Sequence, residues 1–260
     1  MLFDAVDIEQ TVDAEAALEF MKEATKLAST TELEDIGLKL ESKCTLFREH
    51  LAEERIFSLE ESGFQEVVAT IFSLRRKAKR LLRANSFDAI RSELQLLLYG
   101  EDPVDLRFDR FVDAVEGVEP AMKIALASEV LHFTDPDHHW MWTHWMWNPK
   151  SGNGALALVT QDDVDLQGAT PGETYLKVGK ALELVNAQGH AVGFSRSGPG
   201  ALGTDVFLAC VYAVFMYTVF RVKLSQEFNR ILPELPELVK RVLGVHQTPH
   251  ATATGEPART

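Results

Sequence analysis

Apolar side chains recur every three or four residues through most of the chain, the spacing that lays one stripe along an α-helix. Ala14 to Leu27 carries it first, and Thr31-Glu-Leu-Glu34 reads as a capping box that predicts a second helix through Phe47. Ser62-Gly-Phe-Gln65 opens a third, whose apolar positions Val67, Val68, Ile71, Leu74, Ala78, Leu81 and Leu82 run without interruption to Asn85-Ser86. Phe87 to Leu98 follows, then a stretch from Asp102-Pro103 through Val115, then Pro120 to Phe133. Asp135-Pro136 is expected to cap a helix running to Trp147, and Thr170-Pro171-Gly-Glu173 to box the start of one ending between Asn186 and Gly189. Only Ala155 to Thr160 and Ala191 to Phe194 look strand-like.

The run Val206 to Phe220 is apolar on every face, as in a helix that is central or lies at a dimer interface. Tyr212 and Tyr217 bring hydroxyls into it, which need His144, Asp205 or a backbone carbonyl as partner. A proline-stiffened connector, Leu232-Pro-Glu-Leu-Pro-Glu-Leu238, leads to a last helix from Pro236 to Leu243 that ends at Gly244. The predicted fold class is all-α, a multi-helix orthogonal bundle with a buried apolar helix near 205–220. Its expected organisation is an acidic helical N-terminal region (1–56), a main α-helical domain (57–246) and a disordered tail (247–260).

Charge and cysteine usage narrow the function classes. The 260 residues are 46% hydrophobic and 25% charged, a globular composition, with a formal charge of −13. Residues 1–70 hold 17 acids against six Lys or Arg, so almost all of the excess lies there. That balance argues against a broad nucleic-acid or anionic-membrane footprint. The 15 residues from Val206 to Phe220 also fall short of the ~20 that cross a bilayer. Cys44 and Cys210 lack metal or disulfide spacing and read as reduced core residues. The opening MLFDAVDIEQ has acids where an export signal carries Lys or Arg, so a cytoplasmic location is expected.

The densest chemistry is aromatic and imidazole. All four tryptophans fall in a near-duplicated pentapeptide, His139-Trp-Met-Trp-Thr143 and His144-Trp-Met-Trp-Asn148, with His132 and His138 just upstream. A metal or cofactor pocket would draw on His132, His138, His139, His144, Trp140 and Trp147. On one helix, however, His138, His139 and His144 are never three or four apart, so chelation needs a distant ligand such as Glu129, Asp137 or His190. Otherwise Trp140, His144 and Trp147 form one helical stripe, and Trp142 and Trp145 another, covering a core or an interface. No cofactor is predicted from spacing alone.

Leu97-Leu98-Tyr99-Gly100, Arg107-Phe-Asp-Arg110-Phe111, Val115-Glu-Gly117-Val118-Glu-Pro120-Ala121 and Ala127-Ser128-Glu-Val-Leu131-His132-Phe133 together resemble a known arrangement. It is the helix-hairpin-helix segment of all-α DNA-glycosylase-like domains, and the resemblance spans residues 97–145. In that family, hairpin glycines let backbone N–H groups approach a DNA phosphate. Here Gly117 is kept, Glu119 stands at the second glycine position, and the place of the catalytic aspartate falls near Thr143. The resemblance thus implies the helical scaffold without the phosphate hairpin or the acid. A degenerate DNA-binding protein of this kind would use the basic cluster Arg75, Arg76, Lys77, Lys79, Arg80 and Arg83. The same cluster is also a solvated helix face with an intramolecular partner in the acidic N-terminal region.

Two further motifs are incomplete. Gly198-Pro199-Gly200-Ala-Leu-Gly203 fits G-x-G-x-x-G but lacks the strand and βαβ unit of a dinucleotide site. Gly193-Phe-Ser195-Arg-Ser197 has serine where a nucleophile elbow needs its last glycine. The leading expectation is a non-catalytic helical accessory protein whose acidic helices and aromatic segment contact a protein partner or a second copy. The alternatives are an enzyme built on the 132–144 segment and a degenerate DNA binder.

Overall fold

The computed structural model describes residues 2, 3, 6, 8, 12–192, 200–223 and 233–246, with the side chains of 190–192 and 220–223 excepted. Among the described residues there are ten α-helices and no strand. Helix α1 (Ala14–Leu27) starts where the Asp13 carboxylate accepts from Glu15 N and Ala16 N at 3.1 and 3.0 Å. Helix α2 (Thr30–Leu51) begins one register earlier than expected. Its capping box is Ser29 with Glu32, and Thr31 lies inside the first turn. Ser29 and Thr31 are each followed three residues later by Glu; the earlier box starts the helix in time to bury Leu33 and Ile36.

The uninterrupted helix expected from Ser62 to Leu82 is in fact two, α3 (Glu61–Thr70) and α4 (Ala78–Ala84), joined by turns. In a continuous helix the Thr70 carbonyl would accept from Leu74 N–H. Instead it accepts from Lys43 Nζ at 3.1 Å, and Leu74 N–H turns to Ile71 O at 2.9 Å. The break also spares Arg75 and Arg76 from stacking above Lys79 and Arg80 at the i,i+4 spacing, where like charges repel. Ile71 and Leu74 still reach the core, which is why periodicity alone reads through the break.

Helices α5 (Phe87–Tyr99), α6 (Val104–Ala114) and α7 (Pro120–Thr134) follow as expected within a residue or two. The helix expected from Asp135 to Trp147 does not form; the segment is a loop of turns. Its polar groups are spent on neighbours. Ser128 Oγ accepts from Trp142 N–H, the Trp142 indole donates to Trp147 O at 3.0 Å, and Ala155 and Leu156 N–H donate to Trp145 and Met146 carbonyls. The two tryptophan stripes therefore do not exist. Met141, Trp142, Met146 and Trp147 are buried by the loop path, with Trp142 stacked on Phe108 and Phe108 on Tyr175.

Residues 155–160 hold a 3₁₀ turn, Leu156–Leu158, and one isolated bridge from Val12 to Thr160, not a strand. Helix α8 (Pro171–Val192) starts at the Thr170 cap, runs past the expected end, and includes two of the four residues read as strand-like at 191–194; the other two lie outside the described residues. Helix α9 (Gly200–Lys223) absorbs Gly200 and Gly203 of the glycine motif, whose Gly198 and Pro199 lie outside the described residues, as does the 193–197 serine motif. Its Gly200–Val219 span of 20 residues is long and apolar enough to cross a membrane by length and composition, and most of it is buried inside the protein. The Tyr217 hydroxyl donates to the Pro233 carbonyl, and Tyr212 packs on Trp145. Helix α10 (Leu235–Val242) ends in a turn at Gly244.

The layers close around α9, which packs against α1, α2, α8 and α10, and α7, which packs against α2, α5 and α6. Helix α2 touches both, and apolar residues from Phe3 to Val245 form one continuous cluster. The turn after α10 is tied into this assembly at Gly244, whose φ of +75° favours glycine and where an added Cβ would lie 1.6 Å from Thr70 O. Gly244→Ala is therefore expected to destabilise the protein by at least about 2 kcal/mol in urea unfolding, whereas Gly152→Ala, with nothing within 4 Å of the new methyl, should cost less.

Candidate functional site

Four ionisable side chains meet in the core where α2, α7 and α9 converge. Lys43 Nζ donates to Glu129 Oε2 at 2.7 Å, to Thr70 O at 3.1 Å and to Leu243 O at 3.0 Å, so all three ammonium protons are used. It also sits 4.1 Å from the Phe133 ring centroid, a cation–π contact. Glu129 and His132 are three apart on α7 and share a face. His132 Nε2 lies 2.7 Å from Asp205 Oδ2 and its Nδ1 lies 2.8 Å from the His139 carbonyl. With Asp205 as a carboxylate, which like a carbonyl can only accept, both ring nitrogens donate and His132 is the imidazolium cation, the form that its raised pKa favours.

The cluster is thus two cations facing two anions. Burial works to lower the His132 pKa, but Asp205 and the two hydrogen bonds outweigh it and hold the value above the ordinary one. Burial pushes the Glu129 carboxyl up, against the opposing pull of Lys43. Asp205 Oδ1 is buried with no hydrogen-bond partner. Glu-x-x-His spacing on an inward helix face is one that bundles use for metals, yet here the Lys43 ammonium stands at the carboxylate instead. Among the described residues, no group of three or more His, Cys, Asp or Glu could hold a metal ion.

The histidines of the aromatic segment are not brought into one pocket. His132 is committed to Asp205; His138 is exposed and 2.9 Å from Asp135, which raises its pKa. His139 Nδ1 is 3.3 Å from the Tyr175 hydroxyl, and burial pushes its pKa down to about 4. His144 is half-buried, and burial lowers its pKa. Trp140 is half-buried and Trp147 buried. The distant ligands considered from sequence fare no better: Glu129 faces Lys43, Asp137 is exposed, and the His190 side chain lies outside the described residues.

The basic cluster, in contrast, lies open. Arg76, Lys79, Arg80 and Arg83 are exposed and Arg75 half-exposed. The expected pairing with the acidic N-terminal region is not made among the described residues. Among the described residues the ion pair of this cluster is Arg80 with Glu119 at 3.7 Å, while Arg75 lies over the Phe72 ring at 4.5 Å. The N-terminal acids pair locally, as in Glu23 with Lys26 and Asp35 with Lys39. At one end of the cluster Arg75 and Arg76 meet Ala69, Arg241 and His246 around a cavity of about 360 Å³. Sequence reading missed Arg241 and His246, because nothing local links α10 to residues 75–76.

Helices α6 and α7 form a hairpin with Gly117 at φ +81°. Its turn is tied down by Asn85, whose Oδ1 accepts from Glu116 N–H and whose Nδ2 donates to Glu116 O, both at 3.0 Å. An added Cβ on Gly117 would meet Ala84 at 2.4 Å, so this glycine serves packing against α4.

Removing one partner of a buried pair strands the other charge. Lys43→Met should cost about 3–5 kcal/mol in urea unfolding, and the double variant Lys43→Met with Glu129→Leu clearly less than the sum of the two single changes. His139 gives a pH test. Its depressed pKa means the folded chain binds fewer protons than the unfolded chain between pH 4 and about 6.5. Its contribution is complete above about pH 6.5 and is lost as pH falls toward 4, by up to about 3 kcal/mol. His139→Asn should flatten the loss of stability over that window, while leaving unchanged the loss above pH 6.5 that the raised His132 produces as pH climbs through its folded value.

Comparison with known protein families, with curated proteins and with solved structures finds no match to this chain, so its function is argued from the site alone.

Proposed function

We propose that this chain is a non-catalytic interaction protein that docks an acidic protein surface on the basic face made by Arg76, Lys79 and Arg83. The observation that carries the reading is that this face is exposed and unpaired among the described residues, in a chain whose net charge is −13. A cationic patch held apart from so many carboxylates of its own chain is available to carboxylates of another. The groups that could do chemistry are sealed. Burial pushes the Cys44 thiol up to about 11 and the Cys210 thiol to about 12, so neither supplies a thiolate at neutral pH. Lys43 pairs with Glu129 and His132 with Asp205, all four away from solvent.

A second copy has the complementary chemistry. On α2, Glu34, Leu38 and Glu41 share one exposed face, with Leu38 59% exposed between the two acids. Phe72, 36% exposed, stands beside the basic face in the same way. The aromatic segment, expected to share in contact, is mostly core and drops out of the reading.

Sedimentation velocity at low and high salt tests this. The wild type should associate at low ionic strength and dissociate at high salt, because exposed charge pairs are screened within about 8–10 Å at physiological ionic strength. Lys79→Glu with Arg83→Glu should abolish the association while leaving the melting curve within a few degrees. A wild type that stays monomeric at every salt concentration, or association unaffected by the double variant, would overturn the proposal.

A further inference from the structure

From the cavity bounded by Ala69, Arg75, Arg76, Arg241 and His246, we infer a binding site for the phosphoryl dianion of a small molecule. Three arginines from two separate parts of the chain, the α3–α4 connection and α10, line one concavity. Planar guanidinium forks match phosphate oxygens in pairs and are less strongly hydrated than ammonium groups, so they give up water to an anion at lower cost. The carboxylate next to the cavity-lining Arg241 is Glu237, which is shared between Arg241 at 3.1 Å and Lys240 at 3.7 Å and leaves the surroundings net positive.

A second observation comes from His246. The residue lines the cavity, and its Nδ1, buried out of contact with solvent, has no hydrogen-bond partner among the described residues. Burial, Arg75 and Arg241 press its pKa down, against the opposing pull of Glu237. A phosphoryl group in the cavity would relieve the repulsion among the cations. The volume of about 360 Å³ lies at the small end of small-molecule sites, roughly 300–1,000 Å³, and the lining is polar apart from Ala69. It accommodates a phosphoryl group with a small polar body attached, not a large apolar ligand.

The walls are held from behind. Lys43 Nζ binds the carbonyls of Thr70 and Leu243, one residue beyond Ala69 and three before His246, so the core charge cluster fixes the distance between the two sides of the cavity. Such a site is preorganised, and less of its binding energy is lost to ordering side chains.

The site shares the basic segment with the docking proposal but is tested by different residues. Isothermal titration of the full chain would use inorganic phosphate, ribose 5-phosphate and, as the uncharged control, ribose. Binding of ribose 5-phosphate with a Kd of about 1 mM or tighter, lost at least about tenfold in Arg76→Ala and Arg241→Ala, is the expected result. Tighter binding of the ester than of inorganic phosphate assigns a phosphorylated small molecule; equal affinity assigns free phosphate; ribose alone should give no heat. Lys79→Ala with Arg83→Ala, outside the cavity, should leave the Kd unchanged, and thermal melts verify that each variant is folded. No binding of either anion, or equal weakening by the variants inside and outside the cavity, would overturn the inference. Neither result touches the association measured by sedimentation.

Discussion

The Lys43 ammonium, fully buried and triply hydrogen-bonded, is the constraint on which the rest of the arrangement depends. An ammonium in an apolar core is costly unless every proton has an acceptor and a counter-charge is near. Glu129 supplies the charge, and the carbonyls of Thr70 and Leu243 supply the remaining acceptors. Each partner belongs to a different part of the chain, so satisfying one side chain joins α2, α7, the end of α3 and the turn after α10. His132 and Asp205 repeat the logic one helical turn away and add α9. A greasy core of the same volume would hold these helices together, but it would not dictate their register to each other.

The consequences reach the surface. Where α3 ends, Lys43 takes up the free Thr70 carbonyl, and the chain turns through Ile71 to Lys77 before α4. That turn brings Arg75 and Arg76 to the cavity they share with Arg241 and His246. One wall of the cationic cavity is thus tied to the buried lysine. The same break leaves Lys79 and Arg83 on a short exposed helix, without an ion-pair partner among the described residues, which is the basis of the docking reading.

The fold class was legible because helical periodicity is a local signal, and stripes such as Val67, Val68 and Ile71 reach the core as read. What periodicity could not show is the capture of a local hydrogen bond by a distant group, as at Thr70. The aromatic segment failed for the same reason. A proline after a possible cap and dense apolar residues suggest a helix, but Ser128 and residues 153–156 hold the backbone of 142–148 in turns. The four histidines had been grouped by closeness in sequence; the structure sends one into a core ion pair, one to solvent and two to separate half-buried positions. The basic cluster was visible at once, but its cavity was not, since Arg241 and His246 stand more than 160 positions away. The signal for the partner of Glu129, a lysine on the inward face of a helix, is present in the sequence at Lys43, but periodicity does not distinguish it from a solvated charge.

The central claim is that the core is held by two buried cations facing two buried anions, and the protonation state of His132 reports on it most directly. Nitrogen-15 NMR of the imidazole, assigned by loss of the signal in His132→Gln, distinguishes the doubly protonated ring from either neutral tautomer. The account predicts that both His132 nitrogens carry protons at pH 7, above the ordinary histidine value. A neutral His132 at pH 7 in the folded protein would contradict it.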